Sequence, residues 1–154
     1  MKKILSITQN SNATHLALLI ARVGIGALML THGLPKMATL FSGEPVQFLP
    51  LFGMSAEFSL GLTVFAEVLC SIFIIAGFAT RLAVIPQIIT MLVALVFVHA
   101  ADPIGKQEPA LHYLLVDVVL LLAGSGKYSL DALLLSKKTK TSGKLNVKDA
   151  TLAI

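Results

Sequence analysis

Three residues of this chain can do acid–base work where a charge is hard to keep: Arg22, Glu67 and Asp117 each interrupt a long apolar run. An ionised side chain at a bilayer centre costs roughly 2.5–3.5 kcal/mol on insertion scales, so each of the three needs a partner or a task. Two carboxylates beside one permanent cation can handle protons. The guanidinium forks across the acids, and an acid left over beside a satisfied arginine is a candidate proton carrier. The same trio could instead fix helix packing, and residue type alone does not choose between the two.

A second set has different chemistry. His32, His99 and His112 come from three different runs, with Lys36, Asp102 and Glu108 beside them. Imidazoles with a carboxylate can bind a transition metal, bind and deprotonate a quinol head group, or simply hydrogen-bond at an interface. Glu108 and His112 are one helical turn apart, but no H-x-x-H or E-x-x-H pair joins two ligands on one helix, so no metal site is assigned. The candidate quinone or ligand layer is therefore His32, Lys36, His99, His112 and Glu108. His15 receives no role. Cys70 stands alone, which leaves no disulfide and no cysteine-based metal site within one chain.

The elements that must position these groups are apolar. Hydrophobic residues make up 56% of the chain and charged ones 13%, outside the usual range of soluble domains. The mean hydropathy of +0.86 agrees. Between Arg81 and Asp102 run twenty residues without Asp, Glu, Lys or Arg, enough to cross a hydrocarbon core about 30 Å thick. Three further runs resemble it, so spans are expected at about 16–34, 58–78, 82–99 and 110–126. A soluble bundle needs polar helix faces, and none can be drawn around Ile72–Ile75 or Leu92–Val98. Lys2 and Lys3 followed by ILSI resemble the start of a signal peptide, but QNSNAT interrupts and no small-residue cleavage site follows. The expectation is an uncleaved first span.

The fold class expected is all-α: an integral membrane four-helix bundle with both termini cytoplasmic. Nine basic residues fall on the terminal side: Lys2, Lys3, Arg81, Lys127 and lysines 137, 138, 140, 144 and 148. Only Lys36 and Lys106 fall on the other, so the positive-inside rule orients the chain. This bias also accounts for the net charge of +4, leaving no patch for nucleic acid. The chain divides into a cytoplasmic segment at 1–13, a four-span domain at 14–128, and a short interfacial helix with a basic tail at 129–154. Ser129 is placed to cap that helix. Pro103 and Pro109 are expected to keep the loop before span four non-helical. The long connection 35–57 mixes Phe41, Phe48, Leu49, Leu51 and Phe52 with turn residues, and is read as resting on the interface or folding over the bundle mouth.

Depth and face can also be read. At about 1.5 Å per residue, Arg22, Asp117 and Glu67 share a layer roughly 12–18 Å from the cytoplasmic face. That predicts one buried charge cluster of Arg22, Glu67 and Asp117. On a helical wheel Arg22, Gly26, Gly33 and Lys36 lie within an arc of about 80°, with His32 at its edge. The small residues there allow a close neighbour. Thr63, Glu67, Cys70 and Ser71 share a face of span two.

The chain resembles the DoxX family of small four-helix bacterial membrane proteins. The resemblance rests on RVGIGALMLTHGLPK in span one, which carries Arg22, Gly26, His32, Gly33 and Lys36. It continues through Gly61 and Glu67, AGFATR and GSGKYSLDALL, covering roughly residues 16–135. It implies a multi-pass protein of the bacterial inner membrane, associated with redox metabolism; founding members are subunits of a thiosulfate:quinone oxidoreductase or quinol oxidase assembly. It implies no established catalytic residue, so none is assigned. Three functions stay open: a quinone-interacting or non-catalytic subunit of an oxidoreductase, a small proton-coupled transporter, and a scaffold without chemistry. Partners expected are the lipid bilayer and either other proteins or a second copy of the chain. No cofactor is assigned beyond a candidate quinone.

Overall fold

The computed structural model describes residues 11–136. The N-terminal lysines and the basic tail, which oriented the chain above, lie outside the described residues. Within them the protein is helical and contains no strand. We number the helices α1 (Ser11–Leu40), α2 (Ala56–Ala76), α3 (Thr80–Val98) and α4 (Ile104–Ala123). A further short helix occupies 130–136. Helices α1, α2 and α3 are each long and apolar enough to cross a membrane.

The polar residues in the middle of the helices mostly turn inward, and the polar residues left exposed lie mainly toward the helix ends. The buried polar set comprises Arg22, Ser59, Thr63, Glu67, Ser71, Thr80, Gln87, Asp117 and Ser129, whereas large apolar side chains crowd the outside. Leu28 of α1, Ile72 of α2, Ile89 of α3 and Leu115 of α4 are all exposed. A surface like this is unsustainable in water and ordinary in lipid.

The face predicted for α1 is the face that is buried: Arg22, Ile25, Gly26, Met29 and Gly33. The glycines set the approach of α2. A Cβ on Gly33 would lie 2.9 Å from Glu67 Cβ and 3.0 Å from the Glu67 carbonyl carbon. One on Gly26 would lie 3.1 Å from Ser71 O.

Helix bounds depart from expectation in two places. First, α1 runs through Pro35 to Leu40. Proline removes one backbone donor and costs about 3 kcal/mol inside a helix, but Met37 and Leu40 pack on Leu60, Val64 and Val68 and hold the extra turn. The connection is thus shorter than 35–57. Val46 and Phe48 fold it back onto the same apolar group, while Phe52 meets Phe97 edge-on at 5.6 Å. Second, α4 begins at Ile104, so Pro109 lies inside it and does not keep the loop open. The carbonyl that Pro109 deprives belongs to Gly105, in the exposed first turn, where water can serve it.

Two helices contain a wide π turn, Phe65–Leu69 in α2 and Ala94–Val98 in α3. In the first the Cys70 N–H reaches Phe65 O, and Glu67 sits at its middle. In the second His99 N donates to Ala94 O at 2.8 Å. Such turns are rare and recur at functional sites.

The end of α2 closes on Gly77, whose positive φ of 68° permits the left-handed cap. Gly77 N donates to Ile74 O, Phe78 N donates to Phe73 O, and the two phenylalanine rings meet edge-on. The turn into α3 is held by Asp131, whose carboxylate accepts from Ala79 N at 2.8 Å. Ser129 caps the 130–136 helix as expected, accepting from Ala132 N at 3.2 Å.

Candidate functional site

Arg22, Glu67 and Asp117 are all buried, at 2%, 2% and 0% exposure. They do not form the expected cluster. Among the described residues no ion pair or hydrogen bond joins any two of them. Arg22 extends toward the Gly77 end, where Nη1 donates to Ile75 O at 2.7 Å and Ile74 O at 3.4 Å. Its Nη2 donates to Tyr128 O. Glu67 turns the opposite way and accepts from Lys36 Nζ at 2.5 Å. Asp117 has no hydrogen-bond partner on either oxygen among the described residues. Equal height along a bundle does not fix direction, and long side chains have reached away from one another.

The Lys36–Glu67 pair exists because α1 continues past Pro35. Four turns beyond Arg22, Lys36 returns to the buried face and meets the π turn of α2 across Gly33. The turn itself is pinned from α3. Gln87, completely buried, donates through Nε2 to Ala66 O at 3.2 Å and to Ser71 Oγ at 2.7 Å. Ser71 Oγ in turn donates to Glu67 O at 2.6 Å. Glu67 is thereby held by three helices.

Around this pair opens a cavity of about 280 Å³. Lys36, Glu67, His32 and His99 line it with Tyr113 and Lys106, and Met29, Met91 and Ala110 supply apolar wall. His32 meets the ring of Tyr113 edge-on at 5.7 Å. Of the ligand layer read from sequence, the structure brings together His32, Lys36 and His99, and adds Glu67 from the other set. His112 and Glu108 do not belong to it. Both are well exposed on α4 and face each other at 4.0 Å, because α4 starts earlier than expected and carries them on its outer side. Among the described residues no group of three or more His, Cys, Asp or Glu gathers as a metal site would require.

Gln87, Tyr113 and Lys106 are site residues that sequence reasoning passed over. Gln87 had a signal, being the single amide side chain in the 82–99 run. Tyr113 shares the buried stripe Ala110, Tyr113, Asp117 and Leu120, whose spacing of three and four is legible.

The rim is built from the α3–α4 loop. His99 Nδ1 bonds Asp102 Oδ2 at 2.8 Å, and Gln107 donates to the carbonyls of His99 and Asp102. The His99 contact, with Lys106 nearby, holds the Asp102 carboxyl below its usual range. A depressed acid contributes order above its unfolded pKa and loses it as pH falls through the folded one. We expect the protection of the 99–107 amides against hydrogen exchange, taken relative to their intrinsic rates, to hold down to about pH 4 and to fall below it. In Asp102→Asn the acid step should disappear.

The helices, the inside-out distribution of polarity and the half-open pocket of mixed polarity define an α-helical membrane protein with a small cavity at one end. Comparison with protein families agrees on the class and makes it specific. The family model described as DoxX matches residues 17–100, and the chain belongs to the DoxX family. No curated protein and no solved structure matches the chain.

Proposed function

We propose that this protein is a subunit of a redox assembly in the bacterial inner membrane, and that its pocket holds the head group of a quinone. In this reading α4 is a fourth span, the helices close a four-helix bundle, and both termini are cytoplasmic. A 20-residue helix reaches about 30 Å, enough to span. Its buried stripe packs against α3 and α1. The pocket then opens near the outer interface, where a lipophilic quinone presents its head group.

The observation that carries the reading is the pairing of Glu67 with Lys36 in the pocket wall. The carboxylate uses Oε1 for Lys36 and, among the described residues, has no hydrogen-bond partner on Oε2. That oxygen is available to accept a quinol hydroxyl proton, with the ammonium balancing charge before and after transfer. Tyr113 and His32 offer ring faces and edges for a flat head group, and the methionines an adaptable apolar wall. At about 280 Å³ the space is near the lower end of ligand pockets, suited to a head group and not to a whole amphiphile. The chain binds and orients the ring and takes up one of the two quinol protons; the second proton leaves to solvent through the pocket mouth and the two electrons pass to a partner subunit.

The test is thermal unfolding of the detergent-purified protein titrated with short-chain benzoquinone and naphthoquinone analogues. A site ligand at about 100 times its dissociation constant should stabilise by about 2.7 kcal/mol. Stabilisation should saturate, vanish in His32→Ala and Glu67→Gln, and persist in Glu108→Ala and His112→Ala. If no analogue produces saturable stabilisation, the pocket is not a quinone site. A scaffold role for the Lys36–Glu67 pair would then be the better reading.

A further inference from the structure

The proposed ligand site uses Glu67 and leaves Asp117 without a role. This carboxyl is the most completely enclosed acid among the described residues, and neither oxygen has a hydrogen-bond donor. The charged groups on the packed elements make their contacts elsewhere, and Arg22 Nε, a buried donor, has no partner among the described residues. Arg22 of α1 serves three carbonyls, Lys36 serves Glu67, and Arg81 of α3 donates to Leu122 O at 3.1 Å. Cys70 of α2 and Tyr113 of α4 itself are the remaining titratable groups on these buried faces. A carboxylate kept wholly from water with no donor would be far too costly to persist.

The register of α3 against α4 shows what lies opposite. The two helices run antiparallel, with Arg81 bonded to Leu122 O at one end and Met91 sharing a cavity wall with Ala110 and Tyr113 at the other. Four residues inward from Met91 and from Tyr113 lie Gln87 and Asp117, and six inward from Arg81 and from Leu122 lie Gln87 and Val116, the neighbour of Asp117. Gln87 and Asp117 are thus within about one residue of the same level, each on the buried stripe of its helix. Gln87 commits both Nε2 hydrogens to Ala66 O and Ser71 Oγ, while its Oε1 has no partner among the described residues. One seam therefore contains an unserved acceptor on one side and an acid lacking a donor on the other. A single proton on Asp117 answers both.

We propose that Asp117 and Gln87 form a proton-binding site inside the helix packing, in which Asp117 is a carboxylic acid donating its O–H to Gln87 Oε1. The ligand is a proton, taken up as Asp–COO⁻ becomes Asp–COOH with no other bond changed. Because Gln87 also grips the π turn that carries Glu67, the occupancy of this site is tied to the alignment of the pocket. The site stands on burial and register, independently of whether the pocket takes a quinone.

Infrared spectroscopy of the purified full chain tests it. We expect a protonated-carboxyl stretch at neutral pH that shifts in heavy water and is lost in Asp117→Asn. Removing the acceptor in Gln87→Leu should move that band without abolishing it, which covers the case in which Asp117→Asn fails to fold. Asparagine can still donate to Gln87 Oε1, so Asp117→Asn should unfold close to the parent temperature and Asp117→Leu well below it. Absence of the band in the parent overturns the proposal. So does a sodium-dependent rise in unfolding temperature that Asp117→Asn removes, which would assign the site to a metal cation.

Discussion

Lys36→Ala is expected to destabilise the protein by roughly 3–5 kcal/mol and to abolish ligand binding in the same step. The size follows from what is left behind. Glu67 is 2% exposed and Lys36 Nζ is the only cation among the described residues within ion-pair distance of it. The Lys36 side chain is 35% exposed, but the carboxylate is not; removing the ammonium strands it, and breaking one side of such a pair costs more than the pair is worth intact. The double variant Lys36→Ala with Glu67→Gln should therefore recover most of the lost stability, because the amide carries no charge to strand. It should not recover binding, because neither the proton acceptor nor its counter-charge remains. Thermal unfolding in detergent reads the first quantity and ligand-induced stabilisation the second. If the double variant is no more stable than Lys36→Ala, the pair contributes by packing and not by charge.

The second large effect is at the other end of α1. Arg22→Ala removes three charge-assisted hydrogen bonds to Ile74 O, Ile75 O and Tyr128 O. At about 1.5–3 kcal/mol for a bond to a charged group, and without full additivity, the loss is on the order of 4 kcal/mol. Two of those carbonyls belong to the last turn of α2, where intrahelical donors run out and only Ile74 O is also served by Gly77 N. The third tethers the segment after α4. We expect Arg22→Ala to lower the unfolding temperature and to raise proteolysis after Lys127, while the loop-end pocket stays intact. Arg22→Lys should recover only part, since one ammonium cannot span carbonyls from two segments as a planar fork does. Cleavage unchanged from the parent would mean that the Tyr128 contact does not hold the segment.

Much of this was legible from residues alone. Periodicity on α1 put Arg22, Gly26 and Gly33 on one face, and that face is buried against α2. It was legible because a helix repeats regularly and because small residues mark a close approach. The three-charge cluster was not legible, for a reason of geometry. Height follows from counting residues, but the reach and heading of an arginine or glutamate side chain do not. Arg22 found helix-end carbonyls whose need is a property of Gly77, not of any acid. Lys36 was read onto the face of Arg22, but span one was ended at 34; the packing of Met37 and Leu40 carries the helix past Pro35 and makes that face assignment real. His112 and Glu108 were misplaced for the related reason that Pro109 was read as a boundary. The π turns carry no compositional mark at all, and Gln87 gains its importance only because one of them lies opposite.

Those turns have a consequence for what changes of length the chain can tolerate. A π turn accommodates one residue more than an α turn does over the same rise. Deleting a single residue within Phe65–Leu69 would let α2 close up as a regular helix and leave everything beyond it on the face it now occupies. Relaxing the turn to α geometry with no residue removed would instead rotate everything beyond it by about 100°. Ser71 would then swing off the buried face toward lipid. The same holds for α3 at Ala94–Val98, where that swing would carry His99 out of the cavity wall. In these two helices the width of one turn acts as a phase angle: it decides which side chains look inward at the far end, with no change in their identity.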